Sequence, residues 1–256
     1  MRDILAEIVA EKKLTVAAAK ISKPLEQIQR ELQIGKFRMA QAISKGAWSL
    51  IAECKLQSPA KGRLNQTHSV IELAKIYEQN GAAMLSVHTD KHFLGNNEDF
   101  IKVRAEVDLP LLRKDFIIDE YQIYEARAIG ADAVLLIVRI LTPTELQKFL
   151  SVTWDLGMNA LIEIHDEQDL KIAQDTAAKF IGINNRNLKT FTTSIDNTLE
   201  IFPHVDKSRV IISESGVMNI SDVKKLREIG CDGILVGEGL VRAENIGEQT
   251  KLFAGG

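Results

Sequence analysis

The sequence predicts a (β/α)8 barrel, the TIM barrel of the α/β class, in one domain over residues 1–256. Two observations predict this fold. Eight short apolar segments of strand length occur in the chain, and segments with apolar residues at helical spacing lie between them. Three helical segments end at a glycine, namely Gly81, Gly130 and Gly230, which is a common helix stop. A chain of 256 residues also has the usual size of a single barrel.

The predicted elements follow one another in a regular order. Residues 1 to about 45 are predicted to form a helical extension of two helices. Leu5, Ile8 and Val9 form an apolar stripe on the first, and the second begins near Pro24. Eight aliphatic strands follow: Ser49–Lys55, Met84–His88, Leu111–Lys114, Ala133–Ile137, Leu161–Ile164, Phe180–Asn184, Val210–Glu214 and Gly233–Val236. An open doubly wound sheet is the main competing fold, but it usually has a glycine-rich dinucleotide loop after its first strand, and "SPAKG" is not such a loop.

Composition and cysteine usage suit a cytoplasmic enzyme and give no reason to expect nucleic acid or a membrane span. The formal net charge of −3 and the lack of basic clusters give no reason to expect a nucleic-acid partner. Charges interrupt the N-terminal apolar residues, and apolar runs such as 133–138 are too short to cross a membrane. Cys54 and Cys231 lack metal-ligand spacing and lie in apolar runs, so we expect reduced core residues.

Polar residues occur where the predicted strands end, which is where barrels of this type carry catalytic groups. Because side chains alternate along a strand, Glu53 and Lys55 are expected to point into the barrel mouth, while Ala52 and Cys54 point toward the helices. A purely structural ion pair that fills the barrel mouth would explain Glu53 and Lys55 equally well. Polar residues from several strands favour a catalytic site instead, and the further ones are Lys114, Glu163, Asn184 and Glu214.

Glycine-containing segments follow the last two predicted strands. They are "SESGV" (213–217) and "LVGEGLV" (235–241). In phosphate-binding barrels these two loops hold a phosphate through backbone N–H groups, and Gly216 and Gly237 would allow the close approach. Arg186 is a candidate clamp for an anion, with a surface position nearly as plausible.

Other segments suggest a lid and an apolar wall. "QSPAKGRLNQ", after the first strand, is polar, contains Pro59 and Gly62, and has the length of a lid. Phe93 and Phe116 could form a wall for an aromatic substrate, although single aromatic residues are more often part of the core. His88 ends the second strand, where a single histidine is more often structural.

Eight motifs in chain order resemble those of the indole-3-glycerol phosphate synthase family. They are "IAECKLQSPAKG", "SVHTDKHFLG", "LLRKDFIID", "ADAVLLIVRIL", "LIEIHDEQDL", "IGINNRNL", "ISESGV" and "ILVGEGLVR". The resemblance implies a barrel with an N-terminal helical extension, no cofactor, and a carboxy-lyase reaction of tryptophan biosynthesis. In that reaction 1-(2-carboxyphenylamino)-1-deoxyribulose 5-phosphate closes to an indole ring and loses carbon dioxide and water.

The resemblance also implies a role for each matching residue. Lys114 corresponds to the general acid that protonates the ribulose carbonyl, helped if its neighbours lower its pKa modestly. Lys55 corresponds to the partner of the anthranilate carboxylate, and a second role for it in dehydration stays open. Glu163 corresponds to the second acid/base group, and Glu53 and Asn184 to orienting residues. The implied substrate pocket contains Ser58, Pro59, Phe93, Phe116, Arg186 and Leu188, and the implied phosphate site contains Ser215, Gly216, Gly237 and Glu238.

Some positions depart from the commonest family pattern. Ala60 stands where serine is frequent, Cys54 where a branched aliphatic residue is usual, and His88 where leucine is usual. Glu238 follows the phosphate glycine, so we expect its backbone N–H to bind and its carboxylate to point away. Three alternatives stay open: a sugar-phosphate isomerase, a Schiff-base aldolase, and a phosphate-ligand binding protein. The resemblance also leaves open a monomer or weak oligomer and association with other tryptophan-pathway enzymes.

Overall fold

The structure, a computed structural model, describes residues 4–58, 62–186 and 192–255. Ten strands are assigned in these ranges. Eight of them are barrel strands: β1 (Ser49–Cys54), β4 (Met84–His88), β5 (Leu111–Lys114), β6 (Ala133–Ile137), β7 (Asn159–Ile164), β8 (Phe180–Asn184), β9 (Val210–Glu214) and β10 (Gly233–Val236). They form a closed parallel barrel in the order β1-β10-β9-β8-β7-β6-β5-β4, which confirms the predicted fold. The remaining two, β2 (Gln57–Ser58) and β3 (Gly62–Arg63), form an antiparallel hairpin in the predicted lid segment.

The N-terminal extension contains α1 (Ile4–Ser22), α2 (Leu25–Glu31) and α3 (Arg38–Ala42). The third helix was not predicted, because five residues are too few to show helical periodicity. Around the barrel lie α4 (Val70–Gln79), α5 (Asn97–Glu106), α6 (Glu120–Ala128), α7 (Pro143–Asp155), α8 (Glu167–Gln174), α9 (Asp196–Ile201), α10 (Ile220–Glu228), α11 (Glu238–Val241) and α12 (Ile246–Gly255). In the described ranges, no helix is long and apolar enough to span a membrane.

Alternation along the strands divides the apolar side chains between two cores. Ile51 and Leu161 point into the barrel, where Met39 of α3 packs beneath them. Ala52 and Cys54 belong to the outer core between the strands and the helices. A fully buried aliphatic side chain contributes roughly 1.5–3 kcal/mol, so this division fixes the orientation of each strand. The predicted orientation of β1 is confirmed, and Glu53 is left on the inner face.

Side-chain caps fix where several barrel helices begin. Ser69, Thr142 and Asn219 each accept a hydrogen bond from the backbone N–H three residues later, and the acid at that position bonds back to the cap. A cap of this kind is worth about 1 kcal/mol. Because these caps lie at the ends of βα loops, they limit the conformations of the loops that surround the barrel mouth.

The N-terminal extension runs along the barrel from its mouth toward its opposite end. Leu5 of α1 lines a cavity at the mouth. Tyr121 of α6 donates its hydroxyl hydrogen toward the carbonyl oxygens of Ala19 (3.1 Å) and Lys23 (2.9 Å), which holds the end of α1. At the opposite end, Ala40 of α3 donates its backbone N–H to a side chain at the start of β7. The extension therefore contacts both ends of the barrel.

A buried ion-pair cluster ties α1 to two βα loops. Lys12 Nζ lies 2.6 Å from Asp90 Oδ2 and 2.6 Å from Asp115 Oδ1, and all three side chains are buried. Burial alone would lower the pKa of Lys12, but the two carboxylates outweigh burial and raise it. Asp90 caps the short 3-10 helix that ends at Phe93, and Asp115 follows Lys114 directly. Lys12 thus joins the extension to loops that carry candidate site residues.

Replacing Lys12 by methionine is expected to lower the free energy of unfolding by about 3 kcal/mol, because two buried carboxylates lose their cation. In this variant Asp115 still has Arg113 at 3.1 Å, and Asp90 still has His92 at 2.7 Å. The expected loss of stability is therefore at the low end of the range for a broken buried ion pair. Urea unfolding at neutral pH measures the change.

Lys20→Met is the matched control. Lys20 lies on the same helix and its Nζ is also 2.6 Å from a carboxylate, that of Asp119, but 46% of its side chain is exposed. Water screens such a pair, so the expected loss is below about 1 kcal/mol. Equal losses in the two variants would contradict the stabilising role of the buried Lys12 cluster.

Candidate active site

Polar side chains from five barrel strands meet at the C-terminal mouth of the barrel. All of them are buried or half-buried, and they are Glu53, Lys55, Lys114, Glu163, Asn184 and Glu214. Lys55 is the residue after β1, and the others lie on the last two residues of their strands. Parallel strands bring these ends together, as the strand-end pattern predicts. The mouth therefore combines cations and carboxylates in an apolar barrel.

Lys114 is held between two carboxylates. Its Nζ donates to Glu163 Oε2 at 3.1 Å and to Glu214 Oε2 at 2.7 Å. Burial alone would lower the pKa of Lys114, but the carboxylates of Glu214 and Glu163 outweigh burial and raise it. The modest lowering that would ease proton release is therefore not found in this state of the site, because the neighbours of Lys114 are anions. Lys114 is an ammonium with its protons directed at two acceptors.

Glu214 is the most deeply buried acid of the site. Its side chain is fully buried, and burial raises its pKa to about 7, an effect that Lys114 opposes and the nearby Glu163 reinforces. Gly182 on the adjacent strand leaves the necessary space, since a Cβ there would lie 1.9 Å from Glu214 Oε1. The sequence pattern predicts Glu214 at the mouth without a role. Gly182, which faces Glu214 on β8, is the sequence signal that could have indicated an inward-pointing carboxylate there.

Glu163 has a cationic neighbour on one oxygen and an imidazole near the other. Burial alone would raise the pKa of Glu163, but Lys114 outweighs burial and lowers it, with smaller effects from His165 and the amide of Asn184. His165 Nε2 lies 3.3 Å from Glu163 Oε1. Asn184 Oδ1 accepts the backbone N–H of Arg186 at 3.0 Å, which fixes the turn after β8.

Glu53 links the first strand to the aromatic part of the mouth. Glu53 Oε1 lies 3.3 Å from Lys55 Nζ and 3.3 Å from His88 Nε2, the latter without good hydrogen-bond alignment. Burial alone would raise the pKa of Glu53, but Lys55 and His88 outweigh burial and hold it well below the usual value. Gly237 leaves room for this carboxylate, since a Cβ there would lie 2.6 Å from Glu53 Oε1.

Aromatic rings form one wall of the mouth. His88 stacks on Phe93 with ring centroids 4.5 Å apart and planes 8° from parallel, and Phe116 lies 6.3 Å from Phe93. Lys55 Nζ lies 5.2 Å from the centroid of Phe93, within cation–π distance. Together with Leu5 these residues line a cavity of about 120 Å³ that also contains Lys114. An apolar wall beside lysines suits an aromatic ring that carries an acid.

A second cavity, of about 420 Å³, adjoins the first. The two share Glu53, Lys55, Arg186 and Ser215 in their linings, and the second also has the glycines after β9 and β10 in its lining. Ser215 and Gly216 are consecutive left-handed residues, with φ of 66° and 78°. Turns of this kind can present backbone N–H groups to an anion.

Asn185 supports this turn, although no motif identified it beforehand. Its Nδ2 donates to Ser213 Oγ at 2.8 Å and to the carbonyl oxygen of Ser215 at 3.0 Å. Its Oδ1 accepts the backbone N–H and the hydroxyl hydrogen of Thr198 at 3.0 and 2.8 Å. The buried amide therefore joins the loop after β8 to the loop after β9, which holds the glycine turn in place.

The remaining predicted positions are placed as follows. Pro59 and Leu188 lie outside the described residues, as does Ala60. The backbone of Ser58 pairs with Gly62 in the hairpin that follows β1. Glu238 Oε1 accepts from Arg242 Nη1 at 3.1 Å, an ion pair with the residue that follows α11. Glu238 also lines the larger cavity.

The cysteines are not part of the site. Cys54 and Cys231 are free and buried, which agrees with the predicted reduced core residues. Burial raises the pKa of both thiols, that of Cys231 to about 12. Among the residues that the structure describes, no group of three or more His, Cys, Asp or Glu side chains is arranged to hold a metal ion.

Comparisons with known proteins identify the family. The family model "Indole-3-glycerol phosphate synthase" matches residues 5–253. The chain is 42% identical to indole-3-glycerol phosphate synthase of Bordetella pertussis, over 99% of this chain and 100% of that protein. It is 39% identical to the enzyme of the same name from Alkaliphilus metalliredigens, over 99% and 98% of the two chains.

Solved structures show the same fold at low sequence identity. The 3-hexulose-6-phosphate synthase of Salmonella typhimurium matches with a TM-score of 0.64 at 13% identity, over 81% of this chain and 97% of that one. The N-acetylmannosamine-6-phosphate 2-epimerase of Clostridium perfringens matches with a TM-score of 0.62 at 16% identity, over 80% and 91%. At this identity the likeness concerns the fold alone. With the family model and the relatives at about 40% identity, the comparisons show that this chain belongs to the indole-3-glycerol phosphate synthase family.

Proposed function

We propose that this chain is a carboxy-lyase of tryptophan biosynthesis that converts 1-(2-carboxyphenylamino)-1-deoxyribulose 5-phosphate into indole-3-glycerol phosphate, carbon dioxide and water. One observation carries the proposal: the Lys114 ammonium lies between two carboxylates, in a cavity with an aromatic wall that adjoins a glycine-lined cavity. The substrate has the matching parts, namely a carbonyl, an aromatic acid and a phosphate.

Lys114 is the general acid of ring closure in this proposal. The ring carbon that bears the carboxylate attacks the ribulose carbonyl, and the carbonyl oxygen takes a proton from the Lys114 ammonium. The raised pKa of Lys114 keeps it charged before the substrate binds. When the carbonyl oxygen replaces one carboxylate neighbour, the ammonium loses part of that stabilisation and becomes a stronger acid. The carboxyl group then leaves as carbon dioxide, and its bonding electrons restore the aromatic ring.

Glu163 and Lys55 have separate roles. Loss of the new hydroxyl as water needs an acid for the oxygen and a base for a proton of the adjacent CH₂ group, and Glu163 is the second acid/base group of the site. Lys55 binds the aromatic carboxylate, which suits its place 5.2 Å from the Phe93 ring centroid. Glu53 holds Lys55 at 3.3 Å, so its role is orientation. Asn184 orients Glu163 through a hydrogen bond from its side-chain amide.

The phosphate binds in the larger cavity, at backbone N–H groups near Ser215, Gly216, Gly237 and Glu238. Left-handed backbone at Ser215 and Gly216 supports this placement. Arg186 lines both cavities and can contact the phosphate or the ribulose hydroxyls. The site binds a small phosphorylated molecule and acts without a cofactor. We further propose a cytoplasmic enzyme that is a monomer or a weak oligomer.

Indole fluorescence after addition of the open-chain substrate tests the proposed function. We expect a rise in fluorescence with the purified chain alone, and the same rate after treatment with EDTA. No rise would contradict the reaction, and a loss of rate with EDTA would contradict the metal-free site.

Borohydride trapping separates this reaction from Schiff-base catalysis. A lysine nucleophile must be a neutral amine, whereas two carboxylates keep Lys114 charged. We therefore expect no covalent adduct after reduction in the presence of substrate. An adduct on Lys55 or Lys114 would favour the aldolase alternative.

A further inference from the structure

Asn185 is a buried residue beside the turn of Ser215 and Gly216, here called the phosphate turn, and the proposed function assigns it no role. It directly follows β8, and 3% of it is exposed. Its Nδ2 donates to Ser213 Oγ and to the carbonyl oxygen of Ser215, at 2.8 and 3.0 Å. Its Oδ1 accepts the backbone N–H and the hydroxyl hydrogen of Thr198. All four hydrogen-bonding positions of the amide are therefore used.

The direction of each of these hydrogen bonds follows from the available donors and acceptors. A backbone N–H only donates and a carbonyl only accepts, so Oδ1 of Asn185 faces Thr198 and Nδ2 faces Ser215. Thr198 has one hydroxyl hydrogen, which goes to Oδ1 because that atom only accepts. Ser213 must then donate to Thr198 Oγ1, which lies 2.8 Å from Ser213 Oγ. The three side chains form a closed ring, and the second N–H of the amide is left for the Ser215 carbonyl.

Stability alone does not explain this polar ring. Thr198 and Ser213 are fully buried, and Ser213 lies on the same face of β9 as Ile211 of the outer core. Apolar side chains of similar shape can replace a satisfied buried polar set at little cost in stability. They would not supply a donor for the carbonyl oxygen of Ser215. The feature that needs the polar ring is therefore the backbone of the phosphate turn.

Ser215 has a backbone conformation that must be imposed by its surroundings. Its φ of 66° is left-handed, which is unfavourable for a residue with a side chain and persists where neighbouring contacts determine it. The backbone N–H of Ser215 donates to the carbonyl oxygen of Leu235 on β10 at 3.1 Å, and its carbonyl accepts from Asn185. Both peptide groups of Ser215 are thus held by neighbouring segments. Loss of the Asn185 amide removes one of these two contacts.

The conformation of Ser215 determines where the N–H of Gly216 points. Because Leu235 already accepts the N–H of Ser215, Gly216 supplies the next N–H that the turn can direct at an anion. Gly216 also packs closely on the loop after β8. A Cβ there would lie 3.1 Å from Thr193 Cγ2 and 3.3 Å from Asn185 Cβ. The phosphate turn therefore takes its shape from the loop after β8.

We propose that Asn185 is a positioning residue for phosphate recognition and that it acts by holding Ser215 in the left-handed conformation. The amide acts through the backbone of the phosphate turn and not by contact with the phosphate. Asn185 belongs to the same loop as Arg186, so the loops after β8 and β9 form one unit that is organised before the phosphate binds. This inference deepens the proposed function and rests on its placement of the phosphate at Gly216.

Binding of inorganic phosphate to the full chain tests the inference without turnover. The backbone amide signal of Gly216 in nitrogen-15 NMR reports binding at the phosphate turn. In Asn185→Ala the dissociation constant of phosphate is expected to rise about 5- to 30-fold, the factor that corresponds to the usual cost of left-handed backbone. A rise below about threefold, or a wild-type Gly216 signal that does not respond to phosphate, would overturn the proposal.

Thr198→Val is the matched control for damage to the buried ring. Valine is close to threonine in shape, and the change removes hydrogen bonds of the ring while the donor from Asn185 to the Ser215 carbonyl remains. Both variants are expected to lower the melting temperature by several degrees, because each leaves buried polar groups without a partner. Phosphate binding should weaken by more than about threefold in Asn185→Ala alone. Equal weakening in the two variants would show a merely structural ring and overturn the proposal.

Ser215→Gly separates backbone strain from other effects of the substitution. Glycine adopts left-handed backbone without steric cost, so Asn185→Ala in this background should weaken phosphate binding by less than about threefold. The loss of the serine hydroxyl is common to both members of that comparison and cancels. The same weakening in the Ser215→Gly background as in the wild-type background would contradict the strain explanation.

Asn185→Asp is the second variant if Asn185→Ala does not fold. The carboxylate keeps the shape of the amide and accepts from Ser213 and Thr198, but it has no hydrogen for the carbonyl of Ser215. Its charge also acts on the phosphate, and this effect cancels when the wild-type and Ser215→Gly backgrounds are compared. Equal weakening in the two backgrounds would again overturn the proposal.

Kinetics connect the inference with the proposed reaction. Asn185→Ala should raise KM by about the same factor as the dissociation constant of phosphate and leave kcat within about threefold, because the phosphate is held equally in the ground state and in the transition state. A lower kcat with an unchanged KM would contradict a role in phosphate recognition.

The inference and the proposed function fail separately. If the wild-type chain forms no indole-3-glycerol phosphate, the proposed function is wrong, while the phosphate titrations still decide the role of Asn185. If the wild type is active and the titrations do not distinguish Asn185→Ala from Thr198→Val, the proposed function stands and this inference is wrong.

Discussion

Replacing Lys114 by methionine is expected to lower kcat by about 10²- to 10⁴-fold and to change KM little. The protonated amine acts on the carbonyl oxygen mainly in the transition state, whereas the phosphate and the aromatic ring are held elsewhere. Steady-state kinetics by indole fluorescence measure both constants. Glu163 and Glu214 lose their shared cation in this variant and are expected to retain a proton between them, which leaves the mouth folded.

Lys55→Met is the comparison that separates the two lysines. The substrate carries its carboxylate before the reaction begins, so loss of Lys55 should raise KM and lower kcat together. Circular dichroism spectra and melting temperatures of both variants control for misfolding. If Lys114→Met kept more than about a tenth of the normal kcat, Lys114 would not be the acid, because the loss would be smaller than the smallest effect typical of a general acid. Lys55 would then be the leading candidate.

Gly182→Ala is expected to lower kcat/KM by about 10²-fold, although alanine adds only one methyl group. The new Cβ would lie 1.9 Å from Glu214 Oε1 and 3.0 Å from its Cδ, so the carboxylate must move. Glu214 Oε2 is the atom that holds Lys114 at 2.7 Å, and a displacement of about 1 Å at a catalytic group has this order of effect. Overpacking should also lower the free energy of unfolding by about 1–3 kcal/mol.

A control and a second substitution make the Gly182 test specific. Gly255 has open space where its Cβ would be, so Gly255→Ala should change neither activity nor stability. In the background of Glu214→Ala the clash is absent, and Gly182→Ala should then cost almost no stability. Equal stability losses with and without the Glu214 carboxylate would contradict the steric explanation.

The barrel and most of the candidate site were predictable because their signals are local. Strand-length apolar runs and helical periodicity predict the eight barrel strands and the helical segments between them, and alternation within β1 predicts that Glu53 points inward. Parallel strands then bring the strand ends together, which places Lys114 near Glu163 without any knowledge of distances.

The parts that were not predictable depend on contacts between distant segments. Lys12 pairs with Asp90 and Asp115, far along the chain, and periodicity of α1 indicates a buried face but no partner. The raised pKa of Lys114 depends on the closeness of two carboxylates, which strand alternation does not fix. His165 lies beside a predicted site residue, yet only the fold shows that its ring lies between two carboxylates.

A crystal structure with a substrate analogue tests the central claim most directly. In the analogue the ribulose carbonyl is reduced to an alcohol, so ring closure is blocked while the phosphate and the aromatic acid are kept. The account predicts the phosphate at the backbone N–H groups of Gly216 and Gly237, the aromatic ring against Phe93, and the new hydroxyl within hydrogen-bond distance of Lys114 Nζ. A phosphate bound at the ends of β1, β4, β5 or β6, or a hydroxyl directed at Lys55, would contradict it.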